Sequence, residues 1–257
     1  MLMETPRIWL PRTGQTTSYA SGDDGYFKAG NPRKTRFING GGGTISDRAA
    51  GLMWVEKPQL IIPGATGVHA TNQIQAARGD WANSTAYAAA DLAKDTADST
   101  YWVCAAAHTS ASSDTFAADR AAHPTYWRQT VWTASAANLT TPATMTWPNA
   151  LAYSLGAKWN PTTGLNYAGY TDWRLPNMNE LLSMVHWGNS TGPCVDKTVW
   201  TMPATPCVYW SSTANPGYTS WKCYCQYLDV MPSVNNNAQT ATYYVRPIRG
   251  GRLNANG

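Results

Sequence analysis

The chain has 257 residues and a formal net charge of +4, and charged residues make up 13% of it, about half the share in an ordinary globular protein. Lys and Arg form no cluster, and no apolar run reaches the length of a membrane span. We therefore expect neither nucleic-acid binding nor membrane insertion. Residues 1–7 lack the apolar core of a signal peptide, which predicts no cleaved leader.

The aromatic residues are mainly those that carry a polar group. The chain has 13 Trp and 14 Tyr but only 3 Phe. Tyr and Trp are enriched at interfaces because they combine a large apolar body with a hydrogen-bonding group. A β-rich core that needs large side chains would have the same composition, so the sequence leaves both interpretations open.

The number of cysteines is odd, so they cannot all pair within one chain. The five are Cys104, Cys194, Cys207, Cys223 and Cys225. Cys194 and Cys207 bracket a short loop and would form a disulfide if the protein meets an oxidant, with buried thiols as the alternative. The spacing of a zinc site is absent from the sequence, and we expect no metal.

The first predicted elements are short strands. Residues 1–35 are rich in Gly, Pro, Ser and Thr and predict an extended arm. Residues 35–39 and 44–47 predict two strands joined by a glycine turn, which lacks the Gly-Lys-Ser/Thr of a phosphate-binding loop. Residues 51–55 predict a further strand.

The composition changes after these strands. Residues 58–76 predict a loop, and residues 79–132 are rich in Ala, Ser and Thr with spaced aromatic residues. Propensity alone allows a helix over residues 86–93. The run at residues 100–104 (Thr-Tyr-Trp-Val-Cys) favours a small β module instead.

Two helices are predicted further along the chain. Residues 146–155 predict one that Thr146 caps. Residues 176–185 predict a second, because their apolar residues recur at helical spacing. Asn177 is placed to cap this helix, with Glu180 as the reciprocal partner of the cap.

The last fifth of the chain is poor in charge and rich in Asn, Tyr, Ser and Thr. Residues 221–226 alternate in character and predict a strand with Trp221, Cys223 and Cys225 on its inward face. Because Tyr and Asn make adaptable contacts at low entropy cost, we interpret this segment as a displayed binding surface; an ordinary polar loop is the alternative. The candidate ligand-binding residues are Asn215, Tyr218, Ser220, Lys222, Tyr224, Gln226, Asn235, Asn236 and Asn237.

Several sequence blocks occur in the order of one known family. They are residues 51–54 (Gly-Leu-Met-Trp), 169–177 (Gly-Tyr-Thr-Asp-Trp-Arg-Leu-Pro-Asn) with Glu180 and Leu181, 209–212 (Tyr-Trp-Ser-Ser) and 244–251 (Tyr-Val-Arg-Pro-Ile-Arg-Gly-Gly), preceded by residues 11–19 and 22–25. On these blocks the chain resembles the Lcl C-terminal domain-like family, whose fold is similar to C-type lectins and to formylglycine-generating sulfatase modifiers. The resemblance covers residues 8–57 and 144–251. It implies an α+β, C-type-lectin-like fold with two helices and twisted antiparallel sheets.

Residues 58–143 lie outside this resemblance and are expected to be an insert. Residues 79–81, 101–104, 108–110 and 116–119 resemble a small module of phage tail fibres, which is distantly similar to chitin-binding carbohydrate modules. The domains expected are residues 1–57 (arm and first strands), 58–143 (inserted β-rich module) and 144–257 (remainder of the lectin-like domain with its binding face). Trp81, Tyr87 and Trp102 join the candidate ligand-binding residues as rings that would stack on sugars, although part of the module's rings must form its core.

Two acidic groups invite alternative interpretations. Asp23, Asp24 and Asp229 are the candidates for calcium, which requires six to eight oxygen ligands, and we expect no cofactor. Asp172, Arg174 and Glu180 have the composition of an acid–base set. The family blocks imply a scaffold role, with Arg174 paired to a carboxylate or carbonyl and Glu180 as a cap.

These resemblances imply a non-catalytic receptor- or glycan-binding protein of a phage tail. It would be a homotrimer in the virion, and its partners would be a host-surface glycan or protein and other tail proteins. Alternatives of the same fold are a bacterial surface adhesin and a variable protein of a diversity-generating retroelement, whose adenine-directed mutation fits the run of Asn at residues 235–237. A more distant alternative is a sulfatase-modifier-like enzyme, for which Cys223 and Cys225 are the candidate reactive residues.

Overall fold

The computed structural model describes residues 10–30, 36–39, 43–58, 76–129, 144–160, 164–189, 191–200, 202, 207–217, 223–227 and 232–250, with the backbone alone for residues 223–227. Within these residues the fold is α+β and mainly β. The helices are α1 (Asp24–Phe27), α2 (Phe116–Ala122), α3 (Trp147–Ser154) and α4 (Met178–Ser183). The strands are β1 (Phe37–Asn39), β2 (Thr44–Asp47), β3 (Leu52–Val55), β4 (Ala76–Asp80), β5 (Ala86–Tyr87), β6 (Asp91–Lys94), β7 (Tyr101–Cys104), β8 (His108–Thr109), β9 (Trp127–Gln129), β10 (Thr144–Met145), β11 (Val208–Ala214), β12 (Cys223–Tyr227), β13 (Ser233–Asn237), β14 (Tyr243–Tyr244) and β15 (Ile248–Gly250).

The first sheet joins the early strands to the last one. Its order is β1-β2-β3-β15, with all neighbours antiparallel. The three predicted strands near the start of the chain are confirmed. Ile45, Trp54 and Ile248 are register partners across β2, β3 and β15, and all three are fully buried. This apolar row fixes the register, because a slip of one residue would move it to the other face.

The second sheet, in the order β10-β14-β11-β12-β13, lies between two helices. Successive residues of a strand point to opposite faces, so Tyr209 and Trp210 of β11 enter different apolar clusters. The Trp210 core includes Tyr153 of α3. The Tyr209 core includes Leu181 of α4 and Trp54.

The two flanking helices form as predicted. Thr146 is the N-cap residue of α3 by its backbone conformation, although its side chain makes no capping hydrogen bond. At α4 the capping box is complete: the Glu180 N–H donates to Asn177 Oδ1 at 2.9 Å, and the Asn177 N–H donates to Glu180 Oε2 at 2.8 Å. The box satisfies two N–H groups at the start of the helix that have no partner inside it.

Residues 76–129 form a β module, as predicted over the helical alternative. Its sheet has the order β4-β6-β7-β9, and β5 pairs with β8. In place of the helix allowed over residues 86–93, β5 and β6 are separated by Ala90 at a positive φ of 73°. Because successive strand residues point to opposite faces, Leu92 and Val103 lie in the Trp210 core. Ala93 and Trp127 lie in a separate apolar cluster of the module, which we call the Trp127 core. The module sheet therefore packs against the body of the protein.

Two short helices were not predicted. In the arm, α1 begins where Asp23 accepts a hydrogen bond from the Tyr26 N–H at 2.8 Å. In the module, α2 begins where Thr115 accepts one from the Ala118 N–H at 3.2 Å. Each helix is at most seven residues long, too short to show a clear helical period in the sequence.

The disulfide considered between Cys194 and Cys207 is not present. Both residues are buried thiols in the Tyr209 core, and the Cys194 thiol donates to the Asn189 carbonyl at 3.6 Å. Cys104 is a buried thiol as well. The division of the chain at residues 58 and 143 stays a prediction.

Candidate binding surfaces

The side chains of the sequence block at residues 169–177 make contacts within the frame of the fold. Arg174 forms a bidentate pair with Glu180, with Nη1–Oε2 at 2.8 Å and Nη2–Oε1 at 2.6 Å. Its backbone N–H donates to the Ile248 carbonyl at 2.8 Å. Arg249 pairs in turn with Asp172 at 2.6 Å and lies over the Tyr170 ring at 3.7 Å. These contacts tie α4 to β15, as the scaffold interpretation predicted.

Two buried arginines stabilise the same frame. Arg246 belongs to the sequence block at residues 244–251, whereas Arg36 was not singled out in the sequence. Arg36 forms an ion pair with Asp47 in which both side chains are fully buried, and its Nη1 donates to the Ser183 carbonyl at 2.6 Å. Arg246 donates to the Val55 carbonyl at 2.8 Å and lies over a buried Trp ring. Their partners come from distant segments, so no local spacing signals these contacts.

The C-terminal face is built on β11, β12 and β13. Strand β12 pairs antiparallel with both neighbours, with Trp210 opposite Cys225 and Cys225 opposite Asn235. Among the described residues, β13 is one of the two edge strands of the second sheet. It carries no charged residue, and its first three residues are exposed.

The run of three Asn does not form one uniform surface. Alternation places Asn235 and Asn237 on one face of β13 and Asn236 with Val234 on the other. The Asn236 N–H donates to Asn235 Oδ1 at 2.9 Å, so the Asn235 side chain covers part of the strand edge. The single displayed set expected at residues 235–237 is therefore divided between two faces.

The other C-terminal candidate residues lie in a turn, in β12 or outside the described residues. Asn215 lies after β11 and its Oδ1 accepts the Gly217 N–H at 2.9 Å, which closes a tight turn. Tyr224 and Gln226 lie in β12, opposite Asn236 and Val234. Tyr218, Ser220 and Lys222 lie outside the described residues.

The module rings divide into core and accessible residues. Tyr87 is only 2% exposed and belongs to the Trp127 core, so it offers no ring face to a sugar and leaves the candidate set. Trp81 and Trp102 are half-buried at its border. Trp81 stacks on Phe116 with centroids 5.3 Å apart, and Arg120 lies over Trp102 at 4.1 Å.

A row of polar side chains in the module has the composition of a nucleophilic triad. Cys104 Sγ is 3.8 Å from His108 Nδ1, and His108 Nε2 is 3.2 Å from Asp119 Oδ2, which also accepts the Trp127 Nε1–H at 2.8 Å. Burial raises the pKa of Cys104 to about 11. The thiol also donates to the Ala106 carbonyl at 3.1 Å.

In a comparison against protein-family models, residues 43–249 match the Lcl C-terminal domain. The chain belongs to the Lcl C-terminal domain family. The resemblance drawn from the sequence blocks is thereby confirmed. The match runs through residues 58–143, so the status of that stretch as an insert stays a prediction. No curated protein matches the chain.

The acidic turn at residues 23–24, which precedes the matched region, is occupied by internal hydrogen bonds. Asp23 accepts the N–H groups of Tyr19 and Tyr26 at 2.7 and 2.8 Å, and the Tyr19 bond is the main cause that lowers the pKa of Asp23. Asp24 accepts the Thr13 hydroxyl. Asp229, the third calcium candidate, lies outside the described residues.

The described part of the chain has neither a cluster of metal ligands nor a membrane-spanning helix. No three His, Cys, Asp or Glu side chains there are grouped to hold a metal ion. None of the described helices has the length and apolar character needed to cross a bilayer.

Proposed function

We propose that this Lcl C-terminal domain is a non-catalytic recognition protein that binds a glycan or protein on a host cell surface. The observation that carries the proposal is β13, an uncharged edge strand with exposed Val234 and Asn235, mounted on a rigid frame. Residues of this kind give contact area and adaptable hydrogen bonds. A frame with buried ion pairs keeps such a surface in one conformation, which lowers the entropy cost of binding.

The finer fold that we propose is C-type-lectin-like. Two helices flank the second sheet, and β15 closes the first sheet against β3. Membership of the Lcl C-terminal domain family supports an adhesin-like role at a surface. We place that surface on a phage tail, where the protein would be a homotrimer that contacts other tail proteins and gains avidity from repeated copies.

The β module supplies a second recognition surface in this proposal. Trp81 and Trp102 are the half-buried rings of the module, and Arg120 lies over the Trp102 ring while its Nη1 pairs with Asp95. A partly exposed indole ring suits a sugar, because the apolar C–H groups of the sugar pack on it. The resemblance of the β module to a module of phage tail fibres supports the same role in sugar binding.

The proposal is tested by binding to a glycan array and to a panel of bacterial cells. Val234→Arg places a long charged side chain on β13 and should weaken binding at least about tenfold, as expected for a residue at the centre of an interface. Lys158→Gln, an exposed change outside β13, is the matched control and should bind as the wild type does.

Two outcomes contradict this proposal. If the wild-type protein binds no glycan and no cell in the panel, the recognition function fails. If it binds and Val234→Arg binds equally well, β13 is not the recognition face; the same array with Trp102→Ala then tells whether the module binds instead.

A variable protein of a diversity-generating retroelement is the second candidate function. The run of Asn at residues 235–237, on an exposed edge strand, is the observation that favours it, because adenine-directed mutation acts on Asn codons. A reverse transcriptase gene and a template repeat beside the gene would support this candidate. Tail genes alone would support the phage structural role.

A further inference from the structure

A groove of about 790 Å³ lies beside the first sheet, among residues that the proposed recognition function does not use. One wall is the turn between β2 and β3, residues 48–52. The other wall is α4 with its N-cap residue Asn177, and residues 10–11 and Gly250 complete the lining. Its volume is that of an ordinary ligand site.

The β2–β3 wall is fixed by buried contacts. The Asp47 carboxylate accepts the N–H groups of Ala49 and Ala50 at 3.0 and 3.2 Å. Asp47 is itself paired with Arg36, and the Arg48 N–H donates to the Arg36 carbonyl at 2.9 Å. The backbone that carries Arg48 is therefore rigid before any ligand arrives.

The acceptors on the α4 wall are already engaged. Both carboxylate oxygens of Glu180 face Arg174, and Glu180 Oε2 also accepts the Asn177 N–H. Ser183 Oγ donates to the Glu180 carbonyl at 2.7 Å and accepts from Arg36 at 3.1 Å. The Arg174 guanidinium thus neutralises the negative charge of Glu180.

The donors that line the groove remain available. The Arg48 side chain is exposed and has no hydrogen bond or ion pair within the described part of the chain. The Asn177 side chain uses its oxygen as the helix cap, which leaves its NH₂ group to donate. The groove therefore presents one uncompensated positive charge and amide donors, a combination that favours an anion.

We propose that this groove binds a carboxylate of an acidic peptide segment on a partner protein. The Arg48 guanidinium would receive the carboxylate in the bidentate geometry that arginine favours, and the Asn177 amide would donate to the same group. Apart from Asn179, the remaining described lining is aliphatic or glycine, chiefly Leu10, Pro11 and Leu52, and contains no aromatic ring on which a sugar would stack. Aliphatic lining beside a cation fits an acidic side chain next to an apolar one.

The test compares two peptides on the whole protein at low ionic strength, where charge interactions are least screened. Dye-labelled acetyl-Leu-Glu-Leu-amide should bind with a Kd of roughly 1 mM or tighter. Acetyl-Leu-Gln-Leu-amide should bind about tenfold more weakly, because the neutral amide has one acceptor oxygen and cannot form the charged bidentate pair with Arg48. Fluorescence polarisation measures both.

Matched charge-removing variants locate the site. Arg48→Gln should weaken binding of the Glu peptide about tenfold or more while leaving the thermal melting curve unchanged, since Arg48 has no partner among the described residues. Lys158→Gln removes one positive charge outside the groove and should leave the Kd unchanged.

Three results would overturn the proposal. The first is equal binding of the Glu and Gln peptides, and the second is unchanged binding by Arg48→Gln. The third is binding of free glucuronate in preference to the Glu peptide, which would assign the groove to an acidic sugar. None of these results bears on β13, because the groove variant and the β13 variant are measured with different ligands.

Discussion

Burial decides what an ion pair contributes in this protein. The Arg36–Asp47 pair has both side chains at 0% exposure, whereas the Arg249–Asp172 side chains are 24% and 23% exposed. Removing one partner of a buried pair leaves a charge in a medium that solvates it poorly. Removing one partner of an exposed pair leaves a charge that water solvates.

The two pairs should therefore respond very differently to loss of the carboxylate. Asp47→Asn keeps the side-chain shape but leaves Arg36 charged and buried, and should lower the free energy of unfolding by about 3 kcal/mol or more. Asp172→Asn should lower it by less than about 1 kcal/mol. Urea unfolding followed by far-ultraviolet circular dichroism measures both, and equal losses would contradict the ranking.

At the scale of elements, β13 presents an edge that has to be protected. An edge strand offers unpaired backbone N–H and carbonyl groups to other chains. Charged residues usually guard such an edge, and β13 has none. The Asn235 side chain takes over part of this role, since its oxygen accepts the Asn236 N–H.

Removing that side chain should increase self-association. Asn235→Ala frees one N–H on the edge, and one backbone hydrogen bond is worth about 1 kcal/mol net. Association should then begin at a roughly fivefold lower protein concentration than for the wild type. Sedimentation velocity measures this shift. Ser233→Ala, at the start of the same strand, is the control, and association of both variants at the same concentration would contradict a specific role for Asn235.

The predictable elements are those specified by neighbouring residues. Helix α4 was predicted in full, because Asn177, Glu180 and the apolar spacing all lie within ten residues. Strands β1, β2, β3 and β7 were predicted from short apolar runs. In contrast, α1 and α2 each depend on a single capping side chain in a segment that otherwise favours loops or strands.

The binding surfaces were less predictable because exposure depends on the whole molecule. Tyr87 and Trp81 belong to the same stretch of sequence, yet Tyr87 is in the Trp127 core and Trp81 lies at its border. The groove was not predicted at all, since it brings together a turn, a helix and Gly250 that are far apart in the chain. Only tertiary packing tells which of two similar side chains a ligand can reach.

At the scale of the molecule, the β module and the body share one core. Leu92 and Val103 of the module pack in the same cluster as Val55, Met145 and Trp173 of the body. Each part therefore covers apolar surface that the other would expose to water. A module joined to the body only by its two connecting segments would instead bury its apolar residues in a core of its own.

A shared core predicts that the two parts unfold together. Leu92→Ala should lower the free energy of unfolding by about 2 to 5 kcal/mol, as large-to-small core changes do, and should shift one single transition rather than create a second. Phe116→Ala alters only the Trp127 core and tests whether a substitution that destabilises the module also destabilises the body. Urea unfolding is followed by tryptophan fluorescence and by far-ultraviolet circular dichroism, and the two curves should coincide for the wild type and for both variants. Separate transitions would mean that the module unfolds by itself and that the shared cluster contributes little to the coupling.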